Sequence, residues 1–210
     1  VDIIRIDHFI GFSKYYRVPI NEPDAINGEW IQSKGAELFN VLKSKINQFN
    51  VVVEDLGEVT DKVINLRRKF NFPGMHVIQF ELEKVVKKQN HPKHSLVCTG
   101  THDNNTLIGW FDGLKDSGRV VSKKIILDFF KCLKKDLHWE IINYTLKSDS
   151  NMVIIPIQDI LGEGISSRFN TPGIISDNNW TWRLKKGQLS YEIVKKINIL
   201  TKNSKRNFYE

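Results

Sequence analysis

Three acidic residues in this chain each follow a run that reads as a buried strand. They are Asp7 in Arg5-Ile6-Asp7-His8, Glu54 in Glu54-Asp55-Leu56-Gly57 and Asp103 in Thr101-His102-Asp103-Asn104. A carboxylate at the carboxyl end of a parallel strand points into the mouth of a barrel, where chemistry is done. Carboxylates converging from different strands suit glycoside chemistry, in which one attacks and another moves a proton. Arg5 and Asp7 share a side by the two-residue strand period. An arginine beside a carboxylate favours the charged form that a nucleophile needs. Glu54 leaves the apolar run Val51-Val52-Val53, and partial desolvation there would raise its pKa, as a general acid requires. The short polar groups around Asp103 can bind sugar hydroxyls, each of which both donates and accepts.

Plainer readings stand beside these. Arg5 and Asp7 can simply close a strand, Glu54 can cap a helix or sit in a loop, and Asp103 can belong to a turn network. The His102-Asp103 pair lacks a second spaced ligand, so no metal is expected. Three such motifs in register carry more weight than any one of them.

The elements that must position these groups are legible from periodicity. Apolar runs suited to buried strands occur over 2–6, 51–53, 76–80, 96–98 and 152–157. Helical patterns alternate with them over 35–49, 60–70, 122–133, 137–146 and 191–200. Leu38, Phe39, Leu42 and Ile46 share helical spacing in the first, and Thr60 can cap the second. Ile125, Ile126, Phe129, Phe130 and Leu133 form a stripe in the third, and Ile142 and Leu146 align in the fourth. Alternating strands and helices indicate an α/β architecture. Five strands do not close an eight-stranded (β/α)8 TIM-type barrel, so the pattern reads as the second half of one. The connections over 11–34 and 160–182 are longer than linking requires, as functional loops are.

Composition narrows the function classes. The chain has 210 residues, 40% hydrophobic, with a formal charge of +7. The lysine pairs 123–124, 134–135, 185–186 and 195–196 are embedded in amphipathic patterns, which reads as solvated helix faces rather than a nucleic-acid patch. No apolar run is long enough to span a bilayer. Cys98 and Cys132 offer neither a disulfide framework nor metal spacing, and Cys98 reads as a small core residue. Val1 falls inside a strand pattern, which suggests a fragment. Trp110, Tyr16, Phe80 and Trp182 can stack on sugar faces, although core packing is the commoner role of an aromatic.

At these residues the chain resembles the amylomaltase family, also called 4-alpha-glucanotransferases or disproportionating enzymes. The matching stretches are Arg5-Ile6-Asp7-His8-Phe9 with Gly11-Phe12, Glu54-Asp55-Leu56-Gly57 and Phe72-Pro73-Gly74-Met75. They continue with Gly100-Thr101-His102-Asp103-Asn104, Pro156-Ile157-Gln158-Asp159-Ile160-Leu161-Gly162 and Asn170-Thr171-Pro172-Gly173. The resemblance implies a (β/α)8 TIM-type barrel of which this chain covers strands four to eight and the C-terminal helices. Residues 1–210 would then be the C-terminal portion of a single catalytic domain, inactive without the N-terminal portion. It implies retaining transfer of alpha-1,4-glucan segments between maltooligosaccharides through a covalent glycosyl-enzyme. Asp7 would be the nucleophile, Glu54 the general acid/base and Asp103 the transition-state stabiliser. Arg5 would orient Asp7, His102 and Asn170 would hold sugar hydroxyls, and His8 and Phe80 would lie near the sugar-lined cleft.

The implied partners are maltooligosaccharides and starch- or glycogen-derived alpha-glucans, with no cofactor, metal, nucleic acid or membrane. The implied location is cytoplasmic or plastid. Ile10, Glu163 and Phe169 depart from the family's usual arginine, leucine and methionine at those places. Two other readings remain: an amylase-like hydrolase with the same carboxylates, and a non-catalytic glucan-binding fragment.

Overall fold

The computed structural model describes residues 1–84, 86–87, 90–114 and 122–206. They fall into two compact units, one of Val1–Met75 with His94–Leu96, the other of His76–Lys93 with the chain from Val97 onward.

In the first unit, strand β1 (Ile4–Ile6) is followed by a 3-10 turn at Phe9–Phe12, then β2 (Lys14–Arg17), β3 (Glu29–Gln32), helix α1 (Gly35–Lys45), β4 (Val51–Val53) and helix α2 (Asp61–Lys69). β1 and β4 pair in parallel, with Ile4 opposite Val51, Arg5 opposite Val52 and Ile6 opposite Val53. All three β4 valines are buried, as an uninterrupted β-branched run predicts for a strand covered on both faces. The long connection after β1 contains an unexpected antiparallel ribbon, β2 with β3, in which Tyr16 stands opposite Trp30 with ring centroids 5.2 Å apart. Tyr16 is thus engaged by a cross-strand aromatic partner.

Helix α1 buries Phe39, whereas Leu38 and Ile46 remain about two-fifths exposed. Ile46 is already extended, at φ −119° and ψ 113°, so α1 ends four residues before the expected 49. Phe39 meets Phe9, Phe70 and Phe72 at ring-centroid distances of 5.8, 5.4 and 5.2 Å. Burying each phenyl side chain contributes about 2 kcal/mol or more, so this cluster outweighs the weak helix cap at Lys34. Gly35 allows the close approach of α1 to the preceding turn, since a Cβ there would fall 2.2 Å from the Phe12 carbonyl oxygen. Thr60 precedes α2 in extended conformation, as expected, but its side chain makes no capping hydrogen bond.

Strand β5 (Gly74–Val77) follows, then helix α3 (Ile78–Lys84) and β6 (Ser95–Cys98). The expected strand over 76–80 is therefore corrected: the chain turns helical at Ile78, because Ile78 and Leu82 at helical spacing both reach the second unit's core. Next come α4 (Leu107–Gly113), α5 (Lys123–Phe130), α6 (Leu137–Leu146), β7 (Met152–Ile154), α7 (Ile157–Ile160), a 3-10 turn at Ile165–Ser167, and α8 (Tyr191–Asn203). The third sheet has the order β5-β6-β7. β7 is shorter than the expected 152–157 because Pro156 caps a helix that begins at Ile157.

The second unit's core gathers Leu82, Val97, Leu107, Phe111, Ile141 and Ile142. Of the α5 stripe only Ile126 is fully buried, while Ile125 and Leu133 are exposed. That helix stops at Lys131, which adopts the left-handed conformation at φ 50°. At the end of α8, the Arg206 guanidinium donates to the carbonyls of Leu146, Ser148 and Ser150 at 2.7, 2.6 and 2.7 Å. This clamps the helix end to the turn before β7. No helix among the described residues is long and apolar enough to cross a membrane. The lysine pairs are exposed or half-exposed, consistent with solvated faces.

Asp159 on α7 braces this unit and is 1% exposed. Its carboxylate accepts from Thr99 Oγ1 at 2.6 Å and from the Leu107 N–H at 2.7 Å. Burial pushes its pKa up to about 6 from 3.8, against the opposing pull of those two donors. Between these values the folded chain holds a proton that the unfolded chain has lost, so stability falls as pH rises through the window and levels off above it. Asp159→Asn can satisfy both partners without titrating. The stability of the native chain relative to this variant is expected to drop by about 2–3 kcal/mol from pH 4 to 7. Urea unfolding at both pH values measures the change, and a pH-independent difference would contradict it.

Candidate active site

The first unit holds Arg5, Asp7, His8 and Glu54. Because β1 and β4 are paired in register up to Ile6 and Val53, Asp7 and Glu54 leave the sheet at equivalent positions. Neighbouring strands lie about 4.8 Å apart and register partners share a face, so the two acids start side by side. The Glu54 N–H donates to the Ile6 carbonyl at 2.9 Å, and the Phe9 N–H donates to the Glu54 carbonyl at 2.8 Å, which extends the pairing past both acids.

Arg5 and Asp7 share a side as the strand period predicts. Arg5 Nη1 lies 2.6 Å from Asp7 Oδ1, and Arg5 Nε donates to Met75 Sδ at 3.4 Å. The guanidinium is thus tethered at two points. Asp7 is largely exposed, with 65% of its side chain accessible.

Glu54 is half-buried and held by two backbone donors, the His8 N–H at 2.7 Å and the Leu56 N–H at 3.2 Å. Burial pushes its pKa up. The two N–H groups pull it down, the nearby Asp7 charge adds to the rise, and Arg5 opposes it; the net direction is upward. A raised carboxyl beside an exposed carboxylate is the division that separates a proton donor from a nucleophile. His8 achieves its contact by adopting the left-handed conformation, φ 47° and ψ 52°, an uncommon state for a non-glycine residue. Its contribution is therefore a backbone one, aiming an N–H at Glu54.

Asp55, adjacent to Glu54, was not singled out by sequence reasoning and has a distinct task. Its Oδ2 lies 2.9 Å from Arg67 Nε, and its Oδ1 accepts from the Met75 N–H at 2.8 Å. A Cβ on Gly74 would fall 2.7 Å from both carboxylate oxygens, so glycine is needed there. The strand period was the available signal: Glu54 and Asp55 must face opposite ways.

The second unit holds His102, Asp103, Asn170 and Phe80. Beyond β6, the Asn104 side chain accepts from the Thr101 N–H and Oγ1, both at 2.8 Å, folding the chain into a tight turn. Asp103 Oδ1 accepts from Asn170 Nδ2 at 2.6 Å, and Asp103 Oδ2 lies 3.5 Å from His102 Nε2. The Asn170 N–H donates to the His102 carbonyl at 3.1 Å. Asn170, expected to hold a sugar hydroxyl, thus spends one of its two side-chain N–H groups on Asp103.

Arg168 donates to the carbonyls of Asp103 and Asn170 at 2.7 and 2.8 Å. The Trp180 ring lies 5.4 Å from that of His102 and edge-on to Phe169 at 5.2 Å. A cavity of about 290 Å³ opens beside this cluster, lined by His102, Asn105, Gln158, Phe169 and Trp182.

Phe80 lies on α3, 41% exposed. Trp110 is buried, with its indole N–H donating to Glu83 at 2.7 Å, so its role is packing. The three departures from the family pattern are each accommodated. Ile10 joins the first unit's core, Glu163 accepts from Ser167 and Gln188, and Phe169 packs on Trp180.

Known proteins carry the same arrangement of sequence. The family model described as 4-alpha-glucanotransferase matches residues 1–190. The 4-alpha-glucanotransferase of Clostridium butyricum is 36% identical over 206 residues, covering 96% of this chain and 42% of that protein. That of Synechocystis sp. is 36% identical over 216 residues, covering 100% and 42%. The chloroplastic/amyloplastic enzyme of Solanum tuberosum is 36% identical over 188 residues, covering 87% and 32%.

Among solved structures, amylomaltase from Streptococcus agalactiae in complex with acarbose superposes with a TM-score of 0.89 at 27% identity, over 98% of this chain and 42% of that one. Amylomaltase from Corynebacterium glutamicum, at 16% identity and a TM-score of 0.73 over 98% and 36%, shares the fold. The chain spans about two-fifths of the length of the bacterial relatives it matches.

Proposed function

The chain belongs to the 4-alpha-glucanotransferase family, and on that premise we propose that it carries the catalytic carboxylates of an enzyme moving alpha-1,4-glucan segments between maltooligosaccharides. Its strands and helices are then strands four to eight of a (β/α)8 barrel with the C-terminal helices, the C-terminal portion of one catalytic domain.

The observation that carries the reading is the pair at the ends of β1 and β4. Glu54, protonated, donates to the glycosidic oxygen as Asp7 attacks C1, giving a glycosyl-enzyme and a released glucan. Glu54, now ionised, takes the proton from the 4-hydroxyl of an incoming glucan. That oxygen displaces Asp7 from C1 with net retention. Retaining pairs stand about 5–5.5 Å apart and inverting pairs about 6.5–9.5 Å. In-register neighbouring strands support the shorter spacing. Asp103, oriented by Asn170 and Arg168, strengthens its contacts to the sugar's hydroxyls as oxocarbenium character develops. Arg5 keeps Asp7 aimed, His8 holds Glu54 through its backbone N–H, and His102 and Phe80 are contacts for the sugar. The bacterial relatives suggest a cytoplasmic setting, and the Solanum tuberosum relative a plastid one.

Incubation of the chain joined to an N-terminal portion of the length its relatives carry, with maltotriose as substrate, tests the reading. A ladder of longer and shorter glucans is expected, formed faster than reducing ends appear. Reducing-end release without longer products would make the enzyme a hydrolase, and no turnover would leave only glucan binding.

A further inference from the structure

A second cluster of chemistry-bearing side chains lies within the second unit and takes no part in the proposed transfer. His76 at the end of β5, Glu81 on α3 and His91 in the segment before β6 converge so that one ligand atom from each lies within 4.8 Å of the others. His76 Nδ1 lies 3.2 Å from Glu81 Oε1, and His91 Nε2 lies 2.9 Å from Glu81 Oε2. The imidazole rings approach to 5.2 Å between centroids, inclined at 68°.

From this geometry we propose that His76, Glu81 and His91 form a binding site for a divalent transition ion of the zinc class, with solvent completing a tetrahedral shell. Two imidazoles and one carboxylate are borderline donors that suit zinc, cobalt or nickel better than the all-oxygen preference of calcium or magnesium. Metal–ligand bonds of about 2.0–2.1 Å place tetrahedral donors about 3.3 Å apart. The His76 Nδ1–Glu81 Oε1 and His91 Nε2–Glu81 Oε2 separations are close to this spacing, each through a different carboxylate oxygen, so one oxygen serves both imidazoles only after a small shift of the carboxylate. The cluster is anchored on one side and open on the other: the His91 side chain is 2% exposed, that of His76 33%. The accessible face leaves room for the ion to enter and for water to remain bound.

The hydrogen-bonded arrangement is the ion's competitor. In it, each imidazole presents an N–H to the Glu81 carboxylate. Coordination requires the lone pair of that same nitrogen, so its proton must leave or move to the ring's other nitrogen. For His91 that nitrogen, Nδ1, is buried and has no hydrogen-bond partner among the described residues. The Glu81 carboxylate therefore favours the proton on Nε2, and moving it to Nδ1 leaves a buried unpaired N–H, a cost that the coordinate bonds must outweigh. A bound ion would tie the end of β5, α3 and the segment leading into β6 to one point, replacing two hydrogen bonds with three coordinate bonds. No spacing motif announces this site, because its members are five and ten residues apart across a strand-to-helix junction and a loop.

The test is titration of the chelator-stripped protein with zinc(II), followed by calorimetry, together with the visible spectrum of the cobalt(II) form. One ion per chain is expected, with a tetrahedral cobalt spectrum and a rise in Tm of about 5 °C or more at a hundredfold excess over Kd. His76→Asn, at a part-exposed position, and Glu81→Gln, which preserves shape, are each expected to weaken binding at least tenfold while leaving the circular dichroism of the stripped protein unchanged. Absence of stoichiometric binding, or binding that persists unchanged in both variants, would overturn the proposal. It is independent of the transfer reaction, so neither result bears on glucan chemistry.

Discussion

Replacing Asp7 by Asn, in the chain joined to the N-terminal portion its relatives carry, is expected to lower kcat for glucan transfer on the order of 10⁴-fold while leaving the fold intact. An amide has almost the volume of a carboxylate but cannot form the glycosyl ester, so the covalent route closes. The structural cost is small because Asp7 lies at the exposed end of β1, outside both hydrophobic clusters. Arg5 loses its ionic partner 2.6 Å away yet keeps its contact with Met75. Transfer measured with maltotriose, beside circular dichroism of the same sample, separates catalysis from folding. Mass spectrometry after reaction with an activated glycosyl fluoride should find a glycosyl adduct on Asp7 in the parent protein and none there in the variant. A loss of less than about tenfold would remove Asp7 as nucleophile.

Glu54→Gln should produce a different signature. General acid catalysis contributes about 10²–10⁴-fold, and that loss is expected with maltotriose, whose leaving oxygen needs a proton. A glycosyl fluoride needs none, so formation of the glycosyl-enzyme should be largely restored, and the intermediate should accumulate because the base that activates the acceptor is missing.

The sign of the pH effect follows from the raised pKa. The acid works while protonated, so activity falls as pH climbs through the Glu54 pKa. Burial, with Asp7 alongside, moves that limb above the ordinary carboxylate range despite the two backbone donors and Arg5. The variant has no group to titrate there and should lose this limb in glycosylation of the fluoride substrate. An unchanged alkaline limb in the variant would assign the proton to another residue.

Much of this site was readable before any coordinates. Apolar runs bounded by a charged residue mark strand ends, and period two put Arg5 and Asp7 on one side, as their ion pair bears out. The run at 76–80 misled because Val77 and Ile78 are apolar in either conformation. Only contact with the core through Ile78 and Leu82 made the second half helical. The β2–β3 ribbon was missed because a polar connection of this length gives little periodic signal, while its Tyr16–Trp30 pairing arises across the ribbon. Asn170 was recognised as functional but given to the sugar; its 2.6 Å bond to Asp103 shows that it also orients that carboxylate.

The sequence by itself determined which residues carry charge at strand ends, which segments bury their faces, and the family to which the chain belongs. These properties are local or pairwise along the chain, so residue type and spacing encode them. Tertiary structure alone decided the parallel register that sets Asp7 beside Glu54 and the left-handed turn that aims the His8 N–H at Glu54. It also decided the reach of Asn170 across 67 residues to Asp103, and the meeting of His76, Glu81 and His91. Such contacts depend on the path of the backbone between distant residues. Hydrogen bonds and coordination act over about 3 Å, a precision that spacing along a sequence does not contain.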